Sequence, residues 1–418
     1  MHLTIRIAAL ALAALLQACM TAPVNAPRPQ AAAAAPAEAR APVTILISID
    51  GFRPDYLARG ATPNLLALAD AGVRAAMRPS FHSTTFPNHY TLVTGLRPDR
   101  NGIVANRFEN PADRAQVFTM QSDQPAWWAE AEPIWITAER AGIHSATMFW
   151  PGSNVDFGGT RPQDWTPFGQ AVSNRQRVDQ LIDWLRRPVE ERPRFLTTYF
   201  DIVDSAGHRF GPDDARTTAA AAEVDAAIGR LRERLAALGQ PANLVIVADH
   251  GMAATSPDRL IRLYQSVPPT MARFVYGGPY AGLEPMPGQE AALGVVLRQR
   301  RPHLQCWPRD QIPAALHYGA NPRTPSWLCL ADPGWLVLDR EPVMDRQVGE
   351  GGTHGYDPAA PDMAALFIAS GPAFRPGQRL QPFDNVDVAP LLRRLLGLPP
   401  GERLDGSDAP FRGVLIAR

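Results

Sequence analysis

Three aspartates and three histidines stand at or just beyond the ends of short apolar runs. Val43–Ile49 leads into Asp50-Gly51, and Arg194–Phe200 into Asp201-Ile-Val-Asp204-Ser-Ala-Gly-His208. Asn243–Ala248 leads into Asp249-His250-Gly251, and Gly351-Gly-Thr-His354-Gly precedes Ala364–Ala369. Singly, each has a plain reading: Asp after a strand is commonly a turn former, and a lone His fills a core or a loop. Together they place Asp50, Asp204, His208, Asp249, His250 and His354 on one edge, and six such donors suffice for two borderline cations such as zinc. No cysteine falls among them, so the pattern is that of an open catalytic site and not of a closed structural one. A hydroxyl is offered nearby by His82-Ser-Thr84-Thr85-Phe-Pro87-Asn-His89-Tyr90. Pro87 suits the first turn of a helix running to Thr94 and stopped by Gly95, whose free amides and dipole favour an alkoxide or phosphate. Without a metal, a plain threonine cap is the simpler reading; direct coordination would make the hydroxyl a nucleophile. His82 and His89 are read as packing or supporting groups.

The elements that must position these residues alternate. β-branched Val43–Ile49 suits a buried parallel strand. Thr62-Pro63 to Gly72 carries cap, proline and glycine signals of a helix, and Pro133–Gly142 repeats the plan. Ala146–Trp150 reads as a strand, Arg177–Arg187 as an amphipathic helix and Thr217–Leu238 as a long one. Gly334–Asp339 and Ala364–Ala369 read as strands, Val386–Leu396 as the closing helix. Strands alternating with helices predict an α/β fold, a doubly wound, mostly parallel sheet with helices on both faces. The rhythm breaks between 256 and 349. The expected organisation is a core over 43–255 and 350–418 with an inserted subdomain over 256–349.

The 418 residues carry 41 basic and 41 acidic side chains. This balance argues against a nucleic-acid polymer or an anionic membrane surface as the main partner. Every basic residue is Arg: no lysine occurs in the chain. Schiff-base chemistry and a P-loop are thereby excluded, and phosphate must find its positive charge in Arg, backbone amides or a metal. Residues 1–18 read as a signal peptide ending in Leu16-Gln-Ala-Cys19, which resembles a lipobox with Cys19 as the lipidated residue. Residues 19–42, rich in Ala and Pro, read as a tether. If Cys19 carries lipid, Cys306 and Cys329 remain as an even pair, either a disulfide in an oxidising compartment or two buried thiols. The expectation is an exported, periplasmic or envelope-anchored monomer.

Asp50-Gly-Phe-Arg-Pro-Asp, Thr85-Phe-Pro-Asn-His-Tyr, Thr94-Gly-Leu-Arg-Pro-Asp-Arg-Asn-Gly-Ile, Asp204 with His208, Asp249-His-Gly-Met and Gly352-Thr-His-Gly-Tyr follow in that order. Together they resemble the nucleotide pyrophosphatase/phosphodiesterase family of the alkaline phosphatase superfamily, bacterial branch, from Val43 to the C-terminus. The resemblance implies two Zn2+ ions, one held by Asp204, His208 and His354, the other by Asp50, Asp249 and His250. It makes Thr85 a ligand of the second ion and the nucleophile, and Asn106 the donor to a phosphoryl oxygen. It also implies that Phe86 and Tyr199 sandwich a nucleobase beside a wall at Trp150. Glu130 and Asn154 depart from the pattern, standing where some animal relatives carry a lysine and several carry an acid, which leaves base preference open but not the chemistry. The implied substrates are nucleotide 5′-phosphodiesters and pyrophosphates, cleaved through a threonyl-nucleotide intermediate to nucleoside 5′-monophosphates.

Other readings compete. A sulfatase would need a Cys or Ser in a Cys-x-Pro-Ser-Arg-like motif, and the cysteines lie elsewhere. A phosphatase, or a phosphodiesterase of choline or glycerol diesters or phosphonates, shares the donor set. A non-catalytic zinc-binding lipoprotein fits the tether but leaves the threonine hydroxyl unexplained.

Overall fold

The computed structural model describes residues 39–341 and 349–416. Cys19, the signal peptide and nearly all of the expected tether lie outside the described residues.

Strands β1 (Val43–Ile49), β2 (Val73–Arg78), β3 (Ser145–Met148), β4 (Asp164–Thr166), β5 (Phe195–Phe200) and β6 (Ala242–Val247) belong to one nine-stranded sheet. β1 lies at its centre, parallel to β5 on one side and to β6 on the other. All seven β1 residues are buried, as a strand covered on both faces requires. Helices α1 (Pro63–Ala71), α2 (Thr85–Thr94), α3 (Ile134–Arg140), α4 (Asn174–Leu185), α5 (Ile202–Phe210) and α6 (Ala215–Ala237) follow in chain order. The sheet is mixed and mostly parallel, as expected.

The chain then leaves the sheet. β7 (Ala272–Tyr276), β8 (Tyr280–Pro285), β9 (Leu304–Pro308) and β10 (Trp327–Ala331) form a separate antiparallel sheet, with α7 (Glu290–Leu297) between β8 and β9. Along β10 the side chains alternate: Leu328 and Leu330 join the main core, while Trp327, Cys329 and Ala331 join a second one. Cys306 and Cys329 face each other across β9 and β10 and are disulfide-bonded. The chain returns to the main sheet as β11 (Ala365–Ser370) and closes with α8 (Val388–Leu396).

Some details differ from the expectation. β11 runs antiparallel to both β6 and β2, a direction that no local pattern encodes. β2 carries a weak apolar signal and was not among the expected strands. Gly334–Asp339 contracts to a two-residue strand, Leu336–Val337, paired with Leu260–Ile261. α4 starts at Asn174, earlier than Arg177, because Ser173 and Gln176 form a reciprocal capping box. Thr62 precedes α1 but its side chain caps nothing; the Asp225 carboxylate, reaching over from α6, accepts from the Asn64 and Leu65 amides instead, at 3.2 and 2.7 Å.

Candidate active site

The carboxyl ends of β1, β5 and β6 deliver their aspartates to one edge, as parallel strands in register must. Asp50 follows β1, Asp249 and His250 follow β6, and all three are buried. Asp204 and His208 sit one helical turn apart on α5, four residues being the spacing that puts two side chains on one face. His354 arrives from the loop before β11. Gly51 permits the closest approach: its backbone is left-handed (φ 67°), and a Cβ there would lie 3.1 Å from Asp204 Cα. Gly351, at φ 95°, lets the His354 loop run against the His208 carbonyl, where a Cβ would lie only 2.0 Å away.

The six side chains meet. His250 Nε2 is 2.9 Å from Asp249 Oδ2 and 3.4 Å from Asp50 Oδ1. His208 Nε2 is 3.4 Å from Asp204 Oδ2, and His354 Nε2 is 3.5 Å from Asp204 Oδ1. The His250 and His354 rings stack with centroids 3.5 Å apart, so the two trios form one continuous cluster. Asp204, His250 and His354, and Asp50, Asp249 and His250, each bring ligand atoms within 4.8 Å of one another.

Hydrogen bonding sets the tautomers. The Nδ1 atoms of His208, His250 and His354 each lie 2.9 Å from a backbone carbonyl, those of Gly352, Gly251 and Ser83. A carbonyl only accepts, so each Nδ1 donates, and a neutral ring then points a bare Nε2 inward. His208 Nε2 and His354 Nε2 face each other at 3.0 Å. Asp50 Oδ1, Asp204 Oδ1 and Asp249 Oδ2 are buried without a hydrogen-bond partner. Inward lone pairs and orphaned carboxylate oxygens repel one another unless a cation lies between them, so the donor set fits divalent metal. The titration directions of the metal-free cluster show the same crowding, and one runs the other way: against the effect of burial, Asp249 raises the His250 imidazole. Burial, then Asp249 and Asp204, pushes the Asp50 carboxyl well above its ordinary range. Burial also raises Asp204, against the pull of His208 and His250. For Asp249 burial is outweighed by His250 and His89, which hold it ionised. Burial and the neighbouring His250 and His208 rings keep His354 neutral.

Thr85 opens α2, with Thr84 as the extended residue before it, and Gly95 closes the helix in the left-handed conformation. Thr85 Oγ1 lies 3.4 Å from His250 Nε2. The Phe86 amide donates to Asn106 Oδ1 at 2.8 Å, which leaves the other side of that amide, its NH2 group, as a donor with no bond among the described residues. Tyr199 donates its hydroxyl to Asp50 Oδ2 at 2.6 Å. His89 donates Nδ1–H to the Thr85 carbonyl at 2.8 Å, and that nitrogen lies 3.4 Å from Asp249 Oδ2. His82, fully buried, stacks on Tyr280 of the second sheet.

A cleft of about 710 Å³ opens over this cluster, and Thr85, Phe86, Asn106, Trp150, Asn154 and Tyr199 all line it. Glu130 does not; it pairs with Arg323 and accepts from Asn321, both in the segment that returns from β9. Sequence reasoning missed Phe168, which also lines the cleft and is 51% exposed. It missed Arg177 as well, buried on α4, which donates to Val172 O, Tyr199 O and Asp201 Oδ1. That guanidinium ties the loop after Phe168 to the end of β5. A lone aromatic in a Pro/Gly loop, or one Arg at the start of an amphipathic helix, carries no local signal of such a task.

A mostly parallel α/β sheet with a metal-ligand cluster at its strand ends and a hydroxyl at a helix head defines an alkaline-phosphatase-like hydrolase fold. Residues 44–357 match the family model of type I phosphodiesterase / nucleotide pyrophosphatase, and the chain belongs to that family. It is 38% identical over 367 residues to the Xenopus laevis bis(5′-adenosyl)-triphosphatase enpp4, covering 87% of this chain and 79% of that one. Rat ectonucleotide pyrophosphatase/phosphodiesterase family member 3 is 34% identical, and 44% of its length is covered. Human ectonucleotide pyrophosphatase/phosphodiesterase 5 superposes with a TM-score of 0.85 at 32% identity, covering 90% of this chain and all of that one. The murine protein of that name, solved as an inactive threonine-to-alanine variant in complex with AMP, superposes equally well at 31% identity.

Proposed function

We propose that the chain is a two-zinc hydrolase of nucleotide phosphodiester and pyrophosphate bonds that works through a threonyl-nucleotide intermediate and releases nucleoside 5′-monophosphates. The observation that carries the reading is one hydroxyl, Thr85 Oγ1, at a helix head and 3.4 Å from a ligand-type imidazole, with three orphaned carboxylate oxygens beside it. Zinc ions held by Asp50, Asp249, His250 and Thr85, and by Asp204, His208 and His354, would supply Lewis-acid charge for the attacking and departing oxygens.

Thr85 Oγ1 gives up its proton and attacks phosphorus in line; the bond to the departing group breaks with its electron pair, and that group takes up a proton through solvent. Water then attacks the same phosphorus from the vacated side and returns Oγ1 as a hydroxyl, so one hard step becomes two. Asn106 donates Nδ2–H to a non-bridging phosphoryl oxygen, and its bond from the Phe86 amide pre-orients that donor. Tyr199 fixes Asp50 through its hydroxyl. The base lies against Phe86, with Tyr199, Trp150 and the exposed Phe168 as further walls and Asn154 as a polar contact. Export and a lipid anchor at Cys19 complete the proposal; the Cys306–Cys329 disulfide supports an oxidising compartment.

Metal analysis combined with a product assay on an asymmetric dinucleotide tests this reading. The expected result is about two zinc ions per chain and release of the 5′-monophosphate half. Faster turnover of p-nitrophenyl phosphate than of its thymidine 5′-monophosphate diester would overturn the diester assignment.

A further inference from the structure

The second sheet touches the site from behind, through its tyrosines. Tyr276 ends β7, Tyr280 begins β8, and Tyr318 lies between β9 and β10. All three close around the buried His82 ring, with centroids 5.7, 3.7 and 4.6 Å from it respectively. Neither nitrogen of that ring has a hydrogen-bond partner, so packing alone holds it. Three residues further on is Thr85. Between them, Ser83 is bonded twice to the other loop of the site: its carbonyl accepts from His354 Nδ1 at 2.9 Å, and its hydroxyl donates to the Tyr356 carbonyl at 2.7 Å. Tyr280 covers that loop as well, since a Cβ on Gly355 would lie 2.8 Å from its ring. Tyr318 donates its hydroxyl to the Val104 carbonyl, two residues before Asn106, at 3.2 Å.

Tyr280 is therefore wedged between the loop that leads to the attacking hydroxyl and the loop that carries His354. Neither loop is a strand of the main sheet, so sheet hydrogen bonds do not fix their separation. Reacting groups must nonetheless be held to about 0.5 Å. Ordinary packing between layers explains why the tyrosines are buried; it does not require one ring to touch both loops. We infer that Tyr280 is a positioning residue for the hydrolysis: its ring holds the Thr85 and His354 loops at a fixed separation while Ser83 bonds them together. The inference rests on the reading of Thr85 as nucleophile and His354 as zinc ligand.

The test uses full-length chains and measures cleavage of thymidine 5′-monophosphate p-nitrophenyl ester, zinc retention against a chelator, and melting. Activity is read well below the lowest melting temperature. Tyr280→Leu lowers kcat by about tenfold or more with KM changed by less than about threefold, and gives up zinc at a lower chelator concentration than the parent. Tyr280→Phe keeps the ring and stays within about twofold of the parent in kcat. Leu283→Ala, on the same strand but facing the second core, lowers the melting temperature and keeps both kcat and zinc retention. Ser83→Ala loosens zinc in the same direction as Tyr280→Leu, by less. Parent-like kcat and zinc retention in folded Tyr280→Leu, or equal losses in Leu283→Ala, overturn the inference and leave the functional reading standing. Where Tyr280→Leu does not fold, Ser83→Ala decides, and zinc retention equal to the parent's overturns the inference. A parent that binds no zinc or leaves the ester uncut sinks the functional reading, and the inference with it.

Discussion

The two halves of the ligand cluster are built differently. Asp50, Asp249 and His250 stand at the ends of two adjacent strands, and their side chains are 2% exposed or less. Asp204, His208 and His354 come from a helix and a distant loop, with side chains 16%, 42% and 7% exposed. Sheet hydrogen bonds hold the first trio in register. The second trio exists only where α5 and the His354 loop meet, at Gly351 against the His208 carbonyl. Under the proposed mechanism the inner trio would fix the nucleophile, and the outer, more accessible one would exchange leaving group for water.

The largest effect falls on the inner half. Under the proposed mechanism Thr85→Ala removes the attacking oxygen but no carboxylate or imidazole, so turnover drops by at least about a thousandfold while metal content stays near two per chain. Metal analysis beside single-turnover product release checks this. Activity within about tenfold of the parent would detach Thr85 from the chemistry.

Exchanging ligands separates the halves more directly. Asp249→Asn leaves the buried inner trio with Asp50 as its one carboxylate and takes from His250, which both halves share, its nearest anion, so it costs metal at both positions and lowers the folded yield. His208→Asn alters the most exposed ligand, so the chain stays folded, retains about one ion and loses activity by about 100-fold or more. Titration with a chelator should be biphasic in the parent, the first ion leaving from the outer half, and monophasic in His208→Asn. A first phase that persists in His208→Asn would reverse the assignment of the halves.

How much of this was legible in sequence divides along the same line. Apolar runs such as Val43–Ile49 and Asn243–Ala248 announce strands, and the charged residue that ends each run marks the sheet edge where ligands collect. The meeting of all six donors could be anticipated for that reason, although only three strands mark it. Tertiary devices left no such mark. Asp225 caps α1 from another helix, Arg177 reaches from α4 to the end of a strand more than twenty residues away, and β11 chooses its direction when the chain returns from the second sheet. Phe168 lies in Pro167-Phe-Gly-Gln, where no periodicity tells a cleft wall from a surface loop.

The smallest expected effect probes the metal-free fold, and its sign is opposite to that of the activity losses. Burial and neighbouring carboxylates raise the Asp50 carboxyl well above its ordinary 3.8, and burial raises Asp204 to a lesser degree. A carboxyl whose folded value is raised binds its proton more tightly in the folded chain than in the unfolded one. Its penalty is therefore full above the raised folded value and fades as pH falls from there toward 3.8. At pH 7 without metal, Asp50→Asn relieves that penalty, so the metal-free variant melts about 2–4 °C above the metal-free parent. Asp204→Asn gains less, because its carboxyl is more exposed and is already offset by His208 and His250. Adding zinc inverts the order: the parent gains stability by mass action, and each variant gains less than it does. Calorimetry of the three chains at pH 7 and pH 5, with zinc and with chelator, reads all of these differences. Equal gains at the two positions would mean that the halves carry the same electrostatic load, and the contrast in burial would then have no energetic consequence.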